Sequence, residues 1–174
     1  TEFAQSEQFN SILATSFGTE YDAVAAGNLQ QALYTGAFLD GIKIEVLPSA
    51  ELEGALGAYA SATNTIYLSQ ALLDSSPETA TAVLLEEVGH AIDAALNVTD
   101  SVGDEGAIFS ALVRGESVSP SQLEALKQEE DATSLELGEE TIIVEQSFPA
   151  ELELSSLDGS NGFTLNGVDS GDIS

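Results

Sequence analysis

One run of residues, Thr79 to Val113, sets most of the terms on which this chain can fold. Ser76 is a good helix N-cap and Pro77 a good first helical residue, so the spacing predicts a helix that starts there. Val83, Leu84, Val88, Ala91, Ile92 and Ala95 recur at helical intervals and make one buried stripe. Glu86, His90, Asp93 and Asn97 fall at i, i+4, i+7 and i+11, which places them together on a second, polar face. Gly89 interrupts this helix at a cost of ~1 kcal/mol relative to alanine, which predicts a close approach to the backbone at that point. His90 is the only histidine in the chain.

Charge narrows the function classes. Three basic residues stand against 30 acidic ones, a formal net charge of −27 over 174 residues. Nucleic acid is excluded as a partner, because neutralising phosphates needs lysine and arginine. Anionic membrane surfaces are disfavoured for the same reason. Self-repulsion on this scale opposes a compact state unless salt or bound cations screen it. Calcium suits that task, being a hard ion that takes carboxylate and carbonyl oxygens; plain solubility or adaptation to salt would explain the charge equally well. The absence of cysteine removes disulfides, thiolate metal sites and cysteine nucleophiles. No apolar run approaches the ~20 residues of a membrane span, so no membrane insertion is expected. The chain opens Thr1-Glu2-Phe3 with no leader-like segment, and is expected to be a processed product or a piece of a longer protein.

The rest of the chain reads as short elements around this helix. Phe9, Ile12, Leu13 and Phe17 share one side of a helix, and 20–38 holds one or two more, with Val24, Leu29, Leu33 and Phe38 apolar and breaks at Gly27 and Gly36. Ile42, Ile44 and Val46 alternate with Lys43 and Glu45, which predicts a half-buried strand ended by Pro48. Two short strands, 57–60 and 65–68, flank a turn at Thr63-Asn64, and 71–74 is a helical turn. Asp104 can cap a helix over 105–114 that stops at Gly115. Ser119, Pro120 and Gln122 open another helix, to about Glu130, with a capping box. Leu135 and Leu137, then Gly138-Glu139, then 141–145 predict a hairpin. The expected fold class is α+β, mainly helical with a small mixed sheet. Residues 1–146 are expected to form one domain, followed by a strand-rich tail over 147–174.

Glu86, Glu87 and His90 stand one residue short of a metal motif. In H-E-x-x-H two histidines on one helical face bind zinc, and the glutamate between them acts as base. Here the words read E-E-V-G-H, with Glu87 in the base position, His90 in the second ligand position and Glu86 in the first. The stretches L-L-E-E-V-G-H-A-I-D and G-D-E-G-A-I-F-S-A-L-V resemble the active-site helix and the downstream glutamate helix of zincin-type metallopeptidases, a resemblance covering roughly 42–114. It implies a zincin-like fold with Glu86, His90 and Glu105 as metal ligands and Glu87 as general base. It also implies that G-A-Y-A and N-T-I-Y-L-S form the edge strand along a substrate cleft. The tail word L-S-S-L-D-G-S-N-G-F-T-L-N-G resembles the opening of FG-GAP (integrin-type) repeats of secreted bacterial proteins, which implies an extracellular setting.

Glu86 in place of a histidine adds negative charge, which raises the pKa of a metal-bound water and opposes hydrolysis. A Glu/His/Glu set suits calcium or manganese, with zinc expected if the site is active. The plainer account is a solvated acidic helix face with one incidental histidine. Asp93 could orient His90 or make a surface pair, Asp100 and Asp104 could bind calcium or cap a loop, and Tyr59 and Tyr67 could line a cleft or simply fill strands.

Two functions are carried forward. One is a secreted structural module with a degenerate metal site. It would associate with copies of itself or other extracellular proteins, through its strand tail, into a filament or matrix. The other is a metallopeptidase, self-processing in one version, with Glu87 as base.

Overall fold

The computed structural model describes residues 2–99, 101–138 and 140–147. Asp100 and the tail beyond Ser147 lie outside the described residues, so the expectations for them are not met or refused there.

Helix boundaries follow local chemistry. A short 3₁₀ turn, Phe3–Gln5, precedes α1 (Phe9–Phe17), which buries Phe9, Ile12, Leu13 and Phe17. In α2 (Ala23–Thr35), Asp22 caps the first turn, Leu29 and Leu33 are buried, and Gly36 ends the helix in the left-handed region. Gly27, expected to break this segment, lies within α2, and Val24 is 70% exposed rather than buried. A single turn, α3 (Ala37–Asp40), leads into β1 (Lys43–Leu47). β2 (Gly57–Ala60) and β3 (Thr65–Ser69) follow, then the turn α4 (Gln70–Leu73).

The central helix is α5 (Pro77–Leu96), with the Ser76 hydroxyl accepting from Thr79 N–H as its cap. α6 (Glu105–Val113) starts at Asp104, whose carboxylate accepts from Ala107 N–H at 2.7 Å. α7 (Pro120–Leu126) has the capping box of Ser119 and Gln122 and ends earlier than expected. β4 (Ala132–Leu137) and β5 (Glu140–Ser147) form the hairpin, with Gly138 at φ 68 supplying the positive φ that its turn demands. The strand thus runs one residue past the expected division at 146.

The five strands make one mixed sheet in the order β1-β3-β2-β5-β4. β1 and β3 are parallel and the other pairs antiparallel. This is an α+β fold. The edge position that the resemblance implies for the words G-A-Y-A and N-T-I-Y-L-S is not found: β2 is interior, paired with β3 on one side and β5 on the other, and β3 lies between β1 and β2. The hairpin made the difference: its second strand adds to β2, and β1 and β4 become the edges.

Register decides what meets what. Ile44, Ile66, Tyr59 and Glu145 form one row across the sheet; Val46, Leu68, Gly57 and Ser147 form another. Aligned residues point to one face, and this face carries the helices. Its core joins Tyr59 and Ile66 to Leu13, Phe17, Ile92 and Phe109. Phe3 and Phe17 both pack on the Phe109 ring, with centroids 5.4 and 5.6 Å away. The opposite face holds a smaller core of Leu52, Ala58, Tyr67, Leu135 and Val144. Ile44 and Val46 face the helices too, but at the open β1 edge, where they stay 54% and 49% exposed. No helix among the described residues is long and apolar enough to cross a membrane.

Candidate metal centre

In the polar stripe of α5, His90 and Asp93 are buried and Glu86 and Asn97 half-buried, so it is not a solvated acidic face. His90 and Glu87 are 0% exposed and Glu105 is 1% exposed. Two glycines bring α6 against α5 tightly enough to seal it. A Cβ on Gly89 would lie 2.8 Å from Gly106 Cα, and one on Gly106 would lie 2.6 Å from both Cε1 and Nε2 of His90. The cost that Gly89 imposes on the helix is therefore explained by the approach of another backbone, as its position predicts.

The sheet closes the other side. Glu145 and Ser147 belong to the two rows that face α5. The Ser147 hydroxyl donates to Glu87 Oε1. A Cβ on Gly57, beside Ser147 in the sheet, would collide with that same carboxylate at 2.3 Å, so Glu87 fills the space a side chain would take.

His90 Nδ1 stands 2.8 Å from Glu105 Oε1 and 2.7 Å from Glu145 Oε2. One N–H serves one acceptor: the bond goes to Glu105, and Glu145 Oε2 is left without a hydrogen-bond partner. Nε2 lies 3.6 Å from Asp131 Oδ2, beyond hydrogen-bond length, and both atoms are unpartnered. Glu105 Oε2 and Glu87 Oε2 are unpartnered as well.

Electrostatics follow from this crowding. Burial pushes Glu87 up to about 8, and His90 pulls against it. Burial likewise raises Glu86, Glu105 and Asp131 to about 7 each. For His90 burial acts to lower the pKa, but the Glu105 and Glu145 carboxylates win and hold it well above the usual imidazole range. Orphaned buried polar atoms are costly, and so are like charges in one small volume. The cluster calls for added positive charge, either protons or a cation.

Among the described residues, two groups have the spacing to hold a metal ion: Glu86, His90 and Asp104, and His90, Glu105 and Asp131. Each of the residues that sequence pattern singled out, Glu86, His90 and Glu105, belongs to one of them, and His90 is the shared member. Glu87 sits beside them on Ser147. The unpartnered oxygens of Glu105, Asp131 and Glu145, with Nε2 of His90, fit a cation by their chemistry. Asp93 does not orient His90. It accepts from Asn97 Nδ2, Ser101 N–H and the Ser101 hydroxyl, and so ties down the loop after α5. Tyr59 is buried and donates to Asn64 Oδ1 at 3.0 Å, a structural use.

Sequence reasoning missed Asp131, Glu145 and Ser147. They reach the centre only through the pairing of β5 with β2, which nothing local encodes. A cleft of about 1190 Å³ opens beside the centre; Glu86, Asp104 and Asp131 border it, whereas His90, Glu87 and Glu105 do not. Comparison of the chain with family models, with curated proteins and with solved structures finds no match.

Proposed function

We propose that this chain is a non-catalytic, extracellular assembly module whose buried carboxylate–imidazole centre holds a hard divalent cation, with calcium the best fit. The observation that carries this reading is the roof over the centre. Glu145 and Ser147 of β5 cover His90 and Glu87, and neither of those two borders the cleft. A peptidase needs its base and its metal-bound water within reach of a substrate, and a catalytic metal keeps an open position. A closed site of mostly oxygen donors serves structure better. His90, Glu105 and Asp131 would hold the ion, which would supply the positive charge the cluster lacks. Because these ligands come from α5, α6 and the residue just before β4, the ion would pin the hairpin to the helices. The segment after Ser147 is the proposed joint between copies, and cation screening of the −27 charge eases their approach.

Elemental analysis of the purified protein, with melting curves in calcium and in EDTA, tests this. Calcium should raise the melting temperature, and filaments or oligomers should form in calcium and disperse in EDTA. Stoichiometric zinc together with a peptidase activity lost in Glu87→Gln would replace it with the second reading. That reading is a latent metallopeptidase, favoured by one observation: Glu87 occupies the base position with a pKa pushed up to about 8, suited to holding and releasing a proton near neutrality.

A further inference from the structure

The sheet is left open and apolar at one edge. β1 has β3 on one side and, among the described residues, no strand on the other. Ile44 and Val46 face the helices from this edge and stay about half exposed. Beside them opens a pocket of about 280 Å³ with an entirely apolar lining that includes Phe3, Leu39, Ile42, Ile44, Leu84 and Val113. It is smaller than the ~300–1,000 Å³ of ordinary small-ligand sites and suits one large side chain. Lys43, the residue type that guards strand edges, is paired with Glu45. The opposite edge differs: β4 turns Ala132, Ser134 and Glu136 to this face, and its Leu135 is already buried in the smaller core. An open edge with an apolar pocket beside it is the arrangement that accepts an added strand. Backbone hydrogen bonds then give affinity, and pockets for alternate side chains give specificity.

We propose that the β1 edge receives residues 162–167 of a second copy of this chain, with Phe163 seated in the apolar pocket; the inference rests on the reading of the segment after Ser147 as the joint between copies. Phe163 and Leu165 alternate with Thr164 and Asn166, so a strand of these residues has one apolar side and one neutral polar side. Laid over Ile44 and Val46 in either direction, Phe163 and Leu165 set Thr164 opposite Glu45. The word Glu151-Leu152-Glu153-Leu154 fits less well. The same placement sets Glu153 opposite Glu45, and like charges directly opposite are destabilising. Topology disfavours the chain's own segment. β1 and β5 end, and β2 begins, at the same end of the sheet, where the connection 48–56 already links β1 to β2. An own segment would have to arch outside that connection, whereas connections in a sheet are short. A neighbour's segment reaches the edge from its open side. Donor and acceptor are different surfaces, so the contact is head-to-tail and repeats from copy to copy.

The chain has no cysteine, so an introduced pair reports contact cleanly. Full chains carrying Glu45→Cys are mixed in calcium with full chains carrying Thr164→Cys, under mild oxidation. Disulfide-linked dimers are read on non-reducing gels, and their linked peptides by mass spectrometry. Ser134→Cys, on the β4 edge, replaces Glu45→Cys as the control. We expect the 45–164 dimer well in excess of the 134–164 dimer, and about tenfold less of it when the donor also carries Phe163→Ser, which removes the buried anchor. Equal yields at the two edges would overturn the proposal, because they would mean random collision. So would a disulfide that closes within single chains carrying both substitutions while mixed chains give none, since the chain's own segment would then cover the edge. Sedimentation of the unsubstituted chain with and without calcium separates the two ideas. Assembly in calcium with no preference for the 45–164 pair overturns this site and leaves the joint between copies standing. The 45–164 dimer without assembly in calcium keeps the docking and removes the calcium-built array. Neither result overturns both.

Discussion

Replacing Gly89 with alanine should destabilise the protein, although it removes a glycine from the middle of a helix. The helix itself would gain ~1 kcal/mol. Against this, the new Cβ would sit 2.8 Å from Gly106 Cα and 3.2 Å from Gly106 O, both backbone atoms of α6. Comfortable carbon–carbon contact begins near ~3.5 Å, so the two helices would have to part by several tenths of an ångström. Parting them also draws α6 away from the His90 ring on which Gly106 rests, and stretches the bond from His90 to Glu105. Overpacking of this kind costs ~1–3 kcal/mol. Gly27→Ala is the matched control: Gly27 lies inside α2, and a Cβ there meets nothing within 4 Å. It should stabilise by ~1 kcal/mol. The difference between the two variants isolates the clash, and at ~2–4 °C per kcal/mol for a chain of this size it amounts to several degrees. Thermal melts followed by far-UV circular dichroism in EDTA would measure it. If Gly89→Ala melted as high as Gly27→Ala, the helices are not locked at this crossing and the sealed centre loses its structural basis.

Further outcomes rest on the same contacts. Glu87 keeps a proton in the folded state up to about pH 8, whereas the unfolded chain releases it near 4.5. Stability is therefore full below 4.5 and is lost as pH rises toward 8, by up to ~1.4 kcal/mol per pH unit for this one group. Glu87→Gln should remove that slope, so that in urea titrations without metal the variant gains on the parent between pH 5 and pH 8. Ser147→Ala strips the hydroxyl partner from the buried Glu87 carboxyl group and should cost ~1–3 kcal/mol, read as a lower urea midpoint. Asp93→Ala frees the loop tied through Asn97 and Ser101; amide hydrogen exchange over 97–103 should accelerate while that of β4 and β5 holds. Calcium at ~100 times its Kd should add ~2.7 kcal/mol of stability, and Asp131→Asn should shrink that gain.

What could be read from the chain was what neighbours in sequence decide. Ser76, Asp104 and Ser119 cap helices because each needs only the next three residues to do it. Gly89 announced a close contact because glycine is expensive inside a helix. The partner at that contact, Gly106, lies on the next helix and gave no sign of itself. The buried polar face was harder still. Periodicity separates an apolar stripe from a polar one, but not a polar stripe that meets water from one that meets a hairpin. Glu145 alternates with Val144 as any exposed strand residue would, and only its register opposite Tyr59 turns it toward His90. Strand order escaped for the same reason, since β2 and β5 are joined by three residue pairs between distant parts of the sequence.

The last of those pairs has a mechanical side. The chain continues past Ser147 from the very strand that roofs the His90 centre, and Ser147 is fastened at both backbone and side chain: its carbonyl accepts from Leu56 N–H and its hydroxyl grips Glu87. A pull on the chain beyond Ser147 is delivered first to these few bonds. An ion spanning α5, α6 and the residue just before β4 would act there as a rivet, so the load a joined array could bear before a unit tore open would rise and fall with the calcium around it.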